Sequence, residues 1–354
     1  MKKLLLTTAI AGSALFASNA IAQTTISGQL DLGFKAISTE KTTPDGISSL
    51  RGFGSEWQLN IANKGKLNNG MDYAAGFSLE HDGTNTGGTG FTENLYIDFI
   101  SGGTAFTVGT DHIQQSERTL ATFVGLIAED ITNSTGGSIG DDIFLSAVGA
   151  NPVQAYGAGI FHTIPNMATI SAWYVPSNDG IPAAGNAAFV GGDDTAFSGG
   201  ESAYELGITG SLGVKGLSAH AFMNKADKAD VTTAIKDVKG VNYGLSYNMG
   251  AVTVGYNYKK TEFTTAASAT ANTGETKQNE FGLAYAVSPN LTVAANYTKA
   301  DPSSTLVDAK MKSLAIGYNL GAIALSAQAA KLENYTGTAG TDADVLSLRA
   351  STKF

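Results

Sequence analysis

The chain is 354 residues long, with 43 Gly, 7 Pro, no Cys, 15% charged residues and a formal net charge of −9. The missing cysteines exclude disulfides, thiolate metal sites and thiol nucleophiles, and the acidic balance makes nucleic acid a poor partner. The length suits one large domain or two ordinary ones.

At the N-terminus, Lys2 and Lys3 precede an apolar stretch from Leu4 to Phe16, and Ala20-Ile21-Ala22 follows as a small-residue tripeptide. That pattern predicts a secretory signal peptide over residues 1–22, cut between Ala22 and Gln23. The stretch is shorter than the about 20 residues a spanning helix needs. No later segment comes closer to that length.

From residue 23 to Phe354, apolar and polar residues alternate in short runs. Val252, Val254, Tyr256 and Tyr258 interleave with Thr253, Gly255, Asn257 and Lys259. A period of two gives each strand one oily face and one wet face. Sixteen runs are predicted, near 24–35, 54–63, 70–81, 91–100, 104–110, 155–163, 167–175 and 202–210, then 217–225, 240–248, 251–260, 278–287, 291–299, 311–320, 322–331 and 344–354. Tight-turn residues fill the short gaps, as in Ser101-Gly102-Gly103, Pro165-Asn166, Met249-Gly250, Ser288-Pro289-Asn290 and Gly321. The other gaps, near 36–53, 82–90, 111–154, 176–201, 226–239, 261–277, 301–310 and 332–343, are longer and rich in Gly, Ser, Thr, Asn and Asp.

Because short and long gaps alternate, all long connections fall at one end of an up-and-down antiparallel sheet. An even number of strands of about 9–11 residues with this asymmetry is the pattern of a transmembrane β-barrel. Closure is needed because lipid cannot satisfy the free N–H and C=O groups of a sheet edge. The predicted oily face carries Tyr73, Phe77, Phe99, Phe106, Tyr243, Tyr247 and Tyr318, aromatics suited to the interface with head groups. The opposite face carries small and polar residues such as Gly244, Ser246, Asn257, Gly282, Ala294 and Asn319. Charge on the oily face is expected only at strand ends, as at Lys312 and Lys331, since a basic residue at mid-membrane costs about 2–4 kcal/mol.

The chain ends ADVLSLRASTKF, with Leu346, Leu348, Ala350, Thr352 and Phe354 on one face, and its first strand reads TTISGQLDLGF. Together with the strand rhythm, this resembles the Gram-negative general porins, trimeric sixteen-stranded outer-membrane barrels of the α- and β-proteobacterial branch. The terminal Phe resembles part of the family's assembly signal. Two departures are Thr352, where the family often has a second aromatic, and the low count of arginines, only Arg51, Arg118 and Arg349. The resemblance covers 23–354 as one porin β-barrel. It implies passive transport of small hydrophilic solutes and ions, a homotrimer in outer-membrane lipid, and no enzymatic activity.

The third long stretch, 111–154, stands out by length, and a connection that long is usually functional. In the family the corresponding loop folds into the barrel and narrows the pore. Here it holds Asp111, Glu117, Glu129, Asp130, Asp141 and Asp142 against one base, Arg118, and an apolar segment from Leu120 to Ile127. The resemblance places basic residues on the facing wall, and inward parity offers Lys35, Lys259 and Arg349. Inward parity also brings Asp31, Glu56, Glu80, Asp98, Glu205 and Glu280, so a mild cation preference is expected.

The pairs Glu129-Asp130 and Asp141-Asp142 match the ligand chemistry of Ca²⁺, but without a fixed ligand motif no cofactor is assigned. His81, His112, His162 and His220 lack metal-ligand spacing. A substrate-selective channel is the alternative; it needs an inward aromatic ladder, and inward rings are expected to be few, Tyr96 and Trp173. A secreted adhesin-like β-protein with a dry core is the other alternative.

Overall fold

The computed structural model describes residues 23–39, 49–82, 91–109, 157–176, 202–227, 235–265, 274–302, 307–334, 339–340 and 342–354. The expected signal peptide over 1–22 lies outside them. Sixteen strands are present among the described residues. The first eight are β1 Gln23–Thr39, β2 Ser49–Lys66, β3 Asp72–Asp82, β4 Phe91–Ser101, β5 Thr104–Gly109, β6 Gly157–Ile164, β7 Ala168–Val175 and β8 Ala203–Gly210. The remainder are β9 Leu217–Asp227, β10 Ile235–Asn248, β11 Val252–Thr265, β12 Gly274–Ala286, β13 Leu291–Pro302, β14 Ala309–Asn319, β15 Ile323–Glu333 and β16 Ala343–Lys353.

Each strand pairs antiparallel with its sequence neighbours, and β1 also pairs with β16, so the sheet closes on itself. The seam register runs from Gln29 opposite Lys353 to Thr39 opposite Ala343. At its end the Phe354 N–H donates to the Gly28 carbonyl at 3.0 Å, and the Gly28 N–H donates to the Phe354 carbonyl at 2.8 Å. A barrel of this strand number is wide enough to hold an aqueous channel.

Burial follows the two-residue period. On β10, Val241, Tyr243, Leu245 and Tyr247 are exposed outward, while Asn242, Gly244 and Ser246 are buried on the inner face. In a water-soluble sandwich the apolar set would be the buried one; here it is the outer one. All the aromatics expected on the oily face lie there. Tyr73, Phe99, Phe106, Tyr247, Tyr285 and Tyr318 cluster near the short turns, forming a girdle at that rim.

The short turns work by local hydrogen bonds. Asn248 Oδ1 accepts from the Gly250 N–H at 3.1 Å, and Asn319 Oδ1 from the Gly321 N–H at 2.7 Å. Both glycines have positive φ, 91° and 94°, which a side chain would strain. On β4 a bulge faces Phe77: Asn94 takes φ 51°, and its amide donates to Ser78 Oγ at 2.8 Å. The extra residue flips the alternation, so Tyr96 and Asp98 face inward beyond it.

Strands at the long-loop end extend further than the sequence pattern suggests. β10 starts at Ile235, β11 runs to Thr265 and β12 starts at Gly274, so much of the expected loops 226–239 and 261–277 is ladder. Above the hydrocarbon a strand needs no oily face, only cross-strand partners. Lys260 bonds Glu262 and Glu275, and Glu275 also pairs with Lys277.

Candidate functional site: the inner wall of the barrel

The inner wall has a charged sector on β16 and β1–β5. Arg349 forms a two-pronged ion pair with Asp31 across the seam, Nη2 to Oδ2 at 2.7 Å and Nε to Oδ1 at 2.9 Å. Gln29 and Ser351 also hydrogen-bond that carboxylate, which is nearly fully buried. Lys35 faces the same way four residues beyond Asp31 on β1, opposite Ser347. On the neighbouring strands Gln58 donates to Glu80 at 3.2 Å, and Thr107 donates to Asp98 at 2.6 Å.

Lys35 and Arg349 therefore sit in one patch, as inward parity predicts. Arg349, however, is engaged by Asp31 rather than presented as a lone cation. Lys259 likewise pairs with Glu280 at 3.3 Å and is 2% exposed. The other expected constriction residues, Asp111, Glu117, Arg118, Glu129, Asp130, Asp141 and Asp142, lie outside the described residues, and so do the two candidate Ca²⁺ pairs.

Next to it round the barrel, β6–β9 carry a second sector built on rings. Phe161 and Trp173 meet edge to face with centroids 5.2 Å apart, and His220 stacks on Phe222 at 5.4 Å. Glycines make the room: a Cβ on Gly159 would overlap the Trp173 ring, and one on Gly207 the Phe222 ring. Towards β12 the wall turns to amides. Asn242 and Asn257 accept at His220 Nε2 at 2.6 and 3.1 Å, and Asn257 donates to Glu280 at 3.0 Å.

This corrects the expectation that Tyr96 and Trp173 are the main inward rings. Phe161, His220 and Phe222 also turn inward. The signal was present, since Phe161 shares its parity with Gly157 and Gly159, and Phe222 shares its own with Asn224. Yet Phe161, Trp173 and Phe222 are only 1%, 3% and 2% exposed. Rings buried to that degree offer a passing solute no free stacking face, so they do not form an aromatic ladder.

An outer surface apolar all round, a closed ladder and a polar inner wall describe a membrane channel. A family model described as Gram-negative porin matches residues 7–352. The chain belongs to the Gram-negative porin family.

Comparison with solved structures places this porin beside others of its fold. The anion-selective porin from Comamonas acidovorans is similar at TM-score 0.69 and 16% identity, covering 94% of this chain and all (100%) of that one. A loop-deleted OmpT, an outer-membrane protein of Vibrio cholerae, is similar at TM-score 0.65 and 14% identity, covering 94% and 99%. A mutant porin of Rh. blastica is similar at TM-score 0.57 and 13% identity, covering 94% and 100%. Comparison with curated protein sequences finds no match. The family and the barrel together make this an outer-membrane β-barrel that serves as a diffusion channel.

Proposed function

We propose that this porin is a general, passive channel for small hydrophilic solutes and ions, with a mild preference for cations. Its long connections face outward from the cell, and the segment 111–154 folds into the lumen as the constriction. It works as a homotrimer, as its family resemblance implies. The observation that carries the reading is the charge balance on the inner wall. Away from the rims, the described inward acids are Asp31, Glu56, Glu80, Asp98, Glu205 and Glu280, against Lys35, Lys259 and Arg349. The rim at the short turns adds Lys64, Lys66 and Lys353 with Asp72, and there Lys66 is tied to Asp72 at 2.6 Å.

An inserted segment 111–154 adds further carboxylates and one arginine, which strengthens the same bias. The buried ring sector supports that insertion, because a wall facing only water would leave Phe161 and Trp173 wet. The apolar stretch Leu120 to Ile127 has the chemistry to lie against it. The Comamonas porin is named anion-selective, but at such low identity the likeness carries the fold and not the lumen charges. A planar bilayer under a KCl gradient tests the proposal. We expect a reversal potential on the cation side that shrinks in Glu56→Gln/Glu80→Gln; an anion-side potential overturns it.

A further inference from the structure

Two ion pairs on the inner wall present opposite members to the lumen. Across the seam Arg349 is 23% exposed, while its partner Asp31 is 7% exposed. Between β11 and β12 the order is reversed, with Glu280 17% exposed and Lys259 2%. Both heads are held in place. Arg349 is gripped by Asp31 through two contacts, and Glu280 accepts from Lys259, Asn257 and Gln278. A guanidinium on β16 and a carboxylate on β12 are thus fixed a quarter of the way round the barrel from each other.

The tilt of the sheet brings them to one height. Rows of directly opposed residues climb as strand number rises. The row through Lys64, near the short turns of β2, passes Asp98 and Trp173 and reaches Thr276 near the long-loop end of β12. A level line from Glu280 to β16 must therefore step towards the short turns. It runs through Asn296, Ser313 and Gln328 and arrives at Arg349. No inward side chain of β13–β15 carries a formal charge, so this line is amide, hydroxyl, amide between two opposite charges. Ser313 is 5% exposed and Gln278, beside Glu280, is 1% exposed. Among the described residues, Ser313 Oγ and Gln278 Oε1 have no hydrogen-bond partner. Buried polar atoms left open in this way call for a water or a ligand.

We infer that this arc of the wall is a binding track for an elongated zwitterion, of the class of a short peptide with free ends. The solute's ammonium meets Glu280, its carboxylate meets Arg349, and its peptide groups exchange hydrogen bonds with Asn296, Ser313 and Gln328. A guanidinium holds a carboxylate well because its donors match the two oxygens. Four strand steps of about 4.8 Å, widened by the tilt, put the two backbones on the order of 20 Å apart, and both side chains shorten that by reaching inward. An extended chain of about four residues, at about 3.3–3.6 Å each, spans the gap that is left. The inference deepens the reading of the barrel as a passive channel and rests on it.

The test uses the full barrel in a planar bilayer, with tetraglycine, N-acetyl-tetraglycine, tetraglycine amide and neutral tetraethylene glycol as probes. Solute-induced current noise, titrated with each probe, gives its apparent affinity. On the wild type we expect tetraglycine to bind roughly tenfold more tightly than either end-blocked peptide, the loss of one charge-assisted contact. Arg349→Gln should erase the preference for a free carboxylate and keep that for a free ammonium, and Glu280→Gln should do the converse. Heat-dependent gel mobility confirms that each variant is folded, and the end-blocked peptides decide the matter on the wild type without any variant. Three peptides that act alike, or tetraglycine no tighter than tetraethylene glycol, overturn the proposal. So does a folded Arg349→Gln barrel with an unchanged carboxylate preference. Reversal potentials in the same bilayers read the cation preference separately: an anion-side value with the peptide ranking intact strikes that preference and supports this track.

Discussion

On β16 and β1–β5 the inward side chains are charged or polar and tied to one another across strands. On β6–β9 they are rings seated on glycines, grading into amides by β12. The first sector holds most of the lumen charge, with Glu205, Lys259 and Glu280 standing outside it. The second is packed like a core although it faces into a barrel. Inside one closed sheet, then, permeation chemistry and packing stability are weighted to two adjoining arcs of the wall.

Trp173→Ala should break the ring sector hardest. It removes a 3%-exposed indole packed on Phe161, and such truncations cost about 3–5 kcal/mol. Urea unfolding in lipid vesicles reads the loss. If the midpoint stays put while solute flux changes, the rings face water and the contrast between the sectors is wrong.

Arg349→Gln comes next, because it leaves the buried Asp31 carboxylate without its fork. The guanidinium is partly solvated (23% exposed), so the cost should be about 1–3 kcal/mol rather than that of a fully buried pair. Asp31→Asn added to Arg349→Gln should recover at least half of it. A double variant as unstable as the single one would show that the pair does not hold the seam.

Smaller still is Gly28→Ala at the seam. A Cβ there would overlap the terminal Phe354 ring, for a cost of about 1–2 kcal/mol. In Phe354→Ala the same change should be nearly neutral, and a double-mutant cycle measures the difference. Additive effects would mean that the ring does not press on Gly28.

The smallest effect belongs to Asp308, in the β13–β14 connection. A hydrogen bond from Lys299 holds its carboxyl below the ordinary value of 3.8. A depressed folded pKa stabilises above the unfolded value and loses that contribution as pH falls through the folded one. Because the group stays half solvated and its partner is screened by water, Asp308→Asn should move the unfolding midpoint only marginally at neutral pH and not at all in strong acid. A large shift at neutral pH would mean that the connection bears on barrel stability.

Much of this architecture is legible in the sequence because lipid imposes strict alternation: a strand such as 240–248 has only one register that keeps Tyr243 and Tyr247 out and Asn242 and Gly244 in. The upper parts of β10–β12 are not legible, since Lys, Glu and Thr above the hydrocarbon show no oily face. The inward turn of Phe161 was masked by its neighbour Ile160, which made the whole run look oily. Asp31 and Arg349 are 318 residues apart, and only the seam register brings them together. The bulge at Asn94 left no signal beyond an Asn within a strand, a residue that tolerates positive φ.

Single-channel recording from the wild-type barrel in a planar bilayer tests most directly whether the closed sheet surrounds water. Stepwise, long-lived, ohmic current increments on addition of folded protein are the predicted result. A bilayer that stays electrically silent with folded, inserted barrel present would contradict the account.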